Sequence, residues 1–157
     1  MSVTNILKGH ELFHNLSVEE VDKISEFSER RGWDKGDTIF QKGEKAEKVY
    51  LLLEGAVLLR LPAQPPDEYR IIVSKIGEDD LFGLSPLLGS SRYTVEAQCD
   101  ADTEALAIDA EKFRKILEDN SVAGLAIMSE VADTYFHRYI ELLERLQNIV
   151  NQIPLIS

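Results

Sequence analysis

Residues 36–55 read GDTIFQKGEKAEKVYLLLEG, and the placement of their glycines decides the fold. Thr38-Ile39-Phe40 and Val49 to Leu53 are short β-type runs set between glycines and charged residues. Glycine reaches positive φ without steric penalty, so Gly36, Gly43 and Gly55 predict corners between strands. Further runs follow at Val57 to Leu61, Arg70 to Ile76, Thr94 to Cys99 and Leu106 to Ile108. Strands spaced every ~8–12 residues with turn residues between them predict a sandwich or barrel.

The rest of the chain is consistent with one domain of 157 residues, long enough to bury a core. Hydrophobic residues make up 44%, which excludes disorder, yet no apolar run approaches the ~20 residues of a membrane span. Met1 to His10 lacks the apolar centre of a secretory signal. The single cysteine, Cys99, cannot form an internal disulfide, which fits a cytoplasmic setting, and its place in a strand predicts a small buried hydrophobe. The net charge is −11, and Arg30-Arg31 is the only dense basic pair. Nucleic-acid binding relies on basic side chains displacing counterions from phosphates, so no nucleic-acid partner is expected.

Helices flank the strands. Ser17 with Glu20 forms a capping box, and Leu16 with Val21 is placed as its hydrophobic staple. Val21, Ile24 and Phe27 continue one apolar stripe. Pro62 to Asp67, rich in proline, predicts a hairpin loop. After Ile108 the apolar period lengthens from two to about 3.6. Asp109 caps a short helix carrying Phe113, Ile116 and Leu117 and ending near Asn120. A second helical pattern runs from Val122 to Gln152 and is closed by Pro154. At ~1.5 Å per residue this rod is about 46 Å long, more than one small barrel can cover.

The pattern GD-x-I-F-x-x-GE-x-AE-x-VY-x-L-x-x-G closely resembles the cyclic-nucleotide-binding domain family, which includes catabolite-activator-like regulators. Leu12-Phe13, Leu16-Ser17 and Glu19-Glu20 resemble the family's entry helix. The resemblance implies that Leu81 to Val95 is the phosphate-binding cassette. In the family, a glutamate after the Phe-Gly pair holds the ribose hydroxyl and an arginine near the cassette's end pairs with the cyclic phosphate. Here the glutamate position is Leu84, which accepts no hydrogen bond. Counted back from Thr94-Val95, Ser91 stands at the arginine's place and Arg92 falls one residue late. Ser85 reads as an N-cap and Pro86 as a first helical residue, so a short helix begins there with amides free for an anion. The candidate ligand-binding residues are Phe82, Gly83, Leu84, Ser85, Ser91, Arg92, Tyr93 and Thr94, with Tyr135, Arg138 and Tyr139 placed to close the pocket.

Two further patterns carry chemistry. His10-Glu11-Leu12-Phe13-His14 is a literal H-E-x-x-H, which on a helix would put two imidazoles on one face. Leu12 and Phe13 are already needed as apolar anchors and no third ligand stands out, so no metal is assigned. In the long helix, Leu125, Met128, Ala132, Tyr135, Tyr139, Leu142, Leu146, Ile149 and Ile153 step by three and four, the register of a coiled-coil seam. Ile127, Val131, Ile140, Leu143 and Val150 widen the stripe. One set packing on the chain's own core leaves the other for a partner, and the resemblance implies a dimer helix.

These readings predict a mainly β fold with flanking helices: a jelly-roll-like barrel of the cyclic-nucleotide-binding kind over residues 33–109. A helical segment (1–32) precedes it, and a short helix (110–120) and a dimer helix (121–153) follow. The expected function is a small-ligand sensor or regulatory module acting as a homodimer on a small anionic ligand. The alternative is a ligand-free interaction module with a protein partner. No enzyme activity is expected, because no catalytic set appears in the sequence. No cofactor is expected either: cyclic nucleotide is the candidate that the resemblance implies, and Leu84 in place of the ribose-binding glutamate opposes it. The resembling regulators continue into a helix-turn-helix domain that reads DNA, and no such domain is expected within these 157 residues.

Overall fold

The computed structural model describes residues 1–62 and 71–153. The chain opens with α1 (Val3–Gly9), a 3₁₀ turn (Glu11–Phe13) and α2 (Val18–Glu26). Strands β1 (Ser28–Trp33), β2 (Thr38–Phe40), β3 (Lys48–Glu54), β4 (Val57–Leu61), β5 (Ile71–Ile76) and β6 (Leu81–Phe82) follow. After a 3₁₀ turn at Ser85–Leu88 come β7 (Glu96–Cys99), β8 (Thr103–Asp109), α3 (Ala110–Asp119) and α4 (Ser121–Asn151).

The strands form two four-stranded antiparallel sheets, ordered β1-β8-β3-β6 and β2-β7-β4-β5. A closed barrel is therefore not what forms. Strand spacing alone does not distinguish sandwich from barrel, and β6, two residues long, and β2, three, are too short to carry ladders that close the edges. Gly36, Gly43 and Gly55 all adopt the positive φ their corners need.

The run VYLLL is apolar throughout because β3 is covered on both faces. Val49 and Leu51 join a cluster with Phe13, Ile24, Phe113 and Ile127 from the helical elements. Tyr50 and Leu52 point between the sheets, into a second cluster with Phe40, Phe82 and Tyr93. On β8, Leu106 and Ile108 face the helices while Ala105 and Ala107 face inward. The register sets Tyr50 opposite Ala107 and Leu52 opposite Ala105, so small residues make room for the aromatic rings. Cys99 is buried in β7, and burial raises its thiol pKa above the ordinary value.

The N-terminal helical segment ends earlier than residue 32. Phe27 is the C-cap of α2, and Ser28–Trp33 is an edge strand paired with β8. Four of its six residues are exposed, so it shows no apolar alternation. The α2 capping box forms as expected: Glu20 N–H donates to Ser17 Oγ (3.1 Å) and Ser17 N–H to Glu20 Oε1 (2.9 Å). Asp109 Oδ1 accepts from Lys112 N–H (3.0 Å) to start α3. Asn120 ends α3 and caps α4. The Pro62–Asp67 loop, apart from Pro62, and Pro154 lie outside the described residues.

Candidate functional site in the cavity between cassette and long helix

The cassette is positioned by Gly83. Its φ is +66°, and a Cβ there would lie 3.0 Å from Tyr50 Cδ2 and 3.2 Å from Phe40 Cε2, so only glycine lets the chain turn this close to the aromatic cluster. Leu84 already has helical angles (φ −82°, ψ −8°), so it takes the N-cap position and the 3₁₀ turn follows. Ser85 therefore lies inside the turn and does not cap it. The turn is four residues long and closes on Gly89, and Leu87 N–H donates to Leu84 O (3.0 Å).

Beyond the turn the chain swings outward. Ser91 and Arg92 are exposed, and Arg92 Nη1 donates to Gly43 O at 2.8 Å. An isolated bridge pairs Arg92 with Lys45. Tyr93 returns to the core: its ring stacks on Phe40 with centroids 3.8 Å apart and planes at 16°. Its hydroxyl donates to Lys48 O (2.6 Å) and accepts from Lys48 N–H (3.2 Å). Burial raises the Tyr93 phenol well above its ordinary value, so it stays a neutral donor.

A cavity of about 220 Å³ lies between this segment and α4. Gly83, Leu84, Ser85, Tyr93 and Thr94 line one side, and Tyr135, Arg138 and Tyr139 line the other. Phe82 stands behind the wall, fully buried and stacked on Tyr50 (5.1 Å). Ser91 and Arg92 are not among the lining residues. Sequence reasoning missed Phe40, Leu59, Val73, Val95 and Leu142, which complete the lining. They come from three strands (Phe40, Leu59 and Val73), the segment before β7 (Val95) and α4 (Leu142), and only their place in apolar alternation could have signalled them.

Among the described residues, Arg138 is the only one lining the cavity with a formal charge. Its guanidinium lies 5.4 Å from the centre of the Tyr135 ring and makes no hydrogen bond or salt bridge among the described residues. Burial lowers its pKa from the ordinary value, opposed by the nearby Tyr135, Asp80 and Glu141. Burial likewise raises the Tyr135 phenol, opposed by Arg138 and by an interaction with the Ser85 side chain. Arg138 also borders a larger groove of about 1280 Å³ between the N-terminal segment and α4.

His10 and His14 sit at this groove, on either side of the Glu11–Phe13 turn. His10 Nδ1 accepts from Leu12 N–H (3.2 Å), so Nε2 carries the proton and donates to Asp79 O (2.8 Å). Both ring nitrogens are thus engaged, Nδ1 in capping the Glu11–Phe13 turn and Nε2 in holding the segment to the β5–β6 turn. Among the described residues no three His, Cys, Asp or Glu side chains are grouped to hold a metal, and no helix is long and apolar enough to cross a membrane.

On α4, Ala123, Gly124, Ile127 and Val131 are buried against the chain's own core, and Met128 and Tyr135 pack partly on it. The remaining seam residues lie open, including Leu125 (72% exposed), Tyr139, Leu142, Leu146 (57%) and Ile149 (60%).

Residues 30–120, from β1 to the end of α3, match the family model of the cyclic nucleotide-binding domain. The chain belongs to that family. The cyclic AMP receptor protein of Thermus thermophilus is 32% identical over 111 residues, covering 71% of this chain and 50% of the relative. The chain thus spans half of that protein's length. The Thermus thermophilus catabolite activator protein structure superposes with a TM-score of 0.67 at 27% identity, over 83% of this chain and 61% of that one. The sensor domain of the transcriptional regulator DNR from Pseudomonas aeruginosa gives 0.73 over 100% and 99% of the two chains. Its 22% identity speaks for the fold alone.

Proposed function

We propose that this chain is a dimeric regulatory module in which the family's nucleotide site is degenerate. The observation that carries the proposal is Arg92, whose side chain donates to Gly43 O outside the cavity; Leu84, where the resemblance puts the ribose-binding glutamate, supports it. Losing a charge-assisted hydrogen bond to the ribose costs roughly 1.5–3 kcal/mol. Loss of the phosphate pairing adds to this, and at about 1.4 kcal/mol per decade affinity falls by two or more decades. The cavity, at about 220 Å³, is also below the ~300–1,000 Å³ of ordinary ligand pockets.

Dimerisation through α4 is supported by the exposed seam, whose three-and-four spacing is self-complementary in a two-stranded coiled coil. The net charge of −11 argues against nucleic acid as a partner of this chain, and a cytoplasmic setting fits its lone buried cysteine. The second reading, an interaction module without ligand, draws on Leu84 and Tyr93, which are 3% and 5% exposed and fill much of the cassette. The cavity beside them favours the sensor.

A thermal melt with cyclic AMP or cyclic GMP tests the proposal. A micromolar binder at ~0.1 mM ligand gains about 2.7 kcal/mol, a rise of roughly 5–10 °C for a chain this long. The expected rise is nil, and a shift of that size would overturn the degenerate-site reading.

A further inference from the structure

We infer that the cavity takes a small, mostly apolar monocarboxylic acid, held through its carboxylate by Arg138. This rests on the reading of the nucleotide site as degenerate. Leu59, Val73, Val95 and Leu142 give the cavity hydrocarbon walls, and among the described residues no aspartate or glutamate lines it. Arg138, the one cation among the described lining residues, is partly buried yet makes no salt bridge among the described residues. Asp80 and Glu141 influence Arg138 from the groove side, where they line the larger groove and not the cavity. A guanidinium stacked on a ring keeps its edge N–H groups free, and those N–H groups form a planar fork that matches a carboxylate. Placing Tyr135 beneath Arg138 is that arrangement.

Size narrows the class. An apolar cavity of ~150 Å³ holds benzene, so about 220 Å³ suits one ring, or a chain of similar volume, with a carboxylate attached. A neutral hydrocarbon would leave the guanidinium without a partner, which is unfavourable for a partly desolvated charge.

The test is calorimetric titration of the full chain with phenylacetate and octanoate, their neutral counterparts phenylacetamide and octanol, and cyclic AMP. At least one acid should bind about tenfold or more tightly than its neutral counterpart. Arg138→Gln should abolish that preference, while Arg92→Gln should leave it intact. Neutral and acidic ligands binding alike, or a preference surviving Arg138→Gln, would overturn the inference. If Arg138→Gln fails to fold by circular dichroism, Val95→Phe fills the cavity instead and should abolish acid binding; unchanged binding refutes the site. Failure of every acid and of cyclic AMP refutes only this ligand class. Binding of cyclic AMP that depends on Arg92 refutes the underlying reading.

Discussion

Replacing Gly124 by alanine sets two effects of opposite sign against each other at the point where α4 meets α3. Alanine stabilises a helix interior by about 0.8–1.0 kcal/mol over glycine. Against this, the added Cβ would lie 2.4 Å from Leu117 O and 3.3 Å from Leu117 C. Both atoms are backbone of the last turn of α3, so no side chain can swing aside. Overpacking a fitted contact costs about 1–3 kcal/mol, and an unyielding backbone oxygen places this case in the upper half of that range. Gly124→Ala should therefore lose roughly 1–2 kcal/mol despite its better helix propensity. For a chain of this length each kcal/mol is worth about 2–4 °C, so a circular-dichroism melt should show a drop of roughly 2–8 °C. The same displacement moves α4, which carries Tyr135, Arg138, Tyr139 and Leu142 into the cavity wall. A melting temperature equal to or above that of the parent would refute the close approach of the two helices.

Leu146→Glu with Ile149→Glu places charge in the exposed seam while leaving the cavity and core residues in place. Multi-angle light scattering should show the parent as a dimer and the variant as a folded monomer, and a monomeric parent at micromolar concentration would contradict the assembly. Leu84→Glu should not restore cyclic nucleotide binding, because Arg92 still donates to Gly43 O; a micromolar calorimetric Kd for the variant would show that the ribose contact alone was missing. Glu20 accepts the Ser17 amide and also interacts with Asn120, which holds its carboxyl below the ordinary glutamate value. A lowered acid stabilises the fold above its unfolded-state value and loses that contribution as pH falls through the folded one. The deficit of Glu20→Gln in urea melts should thus be full at neutral pH and shrink in acid, as the pH falls below the ordinary glutamate value; equal deficits at neutral and acid pH would count against the capping role.

How far the fold was legible depends on which physics fixed each element. Thr38–Phe40 and Val57–Leu61 form strands over the residues their runs predict, because local alternation and glycine corners decide them. The starts of α2, α3 and α4 rest on side-chain caps of one turn, also local. β8 runs from Thr103 to Asp109, wider than its recognisable core, because Ala105 and Ala107 answer the rings of a distant strand. β1 carries too little apolar pattern to be seen, its place on the sheet edge being set by β8. In the site, Tyr135, Arg138 and Tyr139 were readable from the resemblance as closing residues, and they do line the cavity. The direction of Arg92 was not, because a carbonyl forty-nine positions earlier in the chain receives its guanidinium. The N-cap moved from Ser85 to Leu84 because backbone angles, not hydroxyl chemistry, begin that turn.

The central claim is that the cassette no longer engages cyclic nucleotide. It is tested most directly at the cassette's own backbone, by titrating the isotope-labelled full chain with cyclic AMP and following the amide resonances of Gly83, Leu84, Ser85 and Thr94. The account predicts no saturable shift at these four amides up to ~0.1 mM nucleotide, where a micromolar site would be about 99% occupied. Shifts that saturate at micromolar cyclic AMP, and disappear in Arg92→Gln, would contradict it.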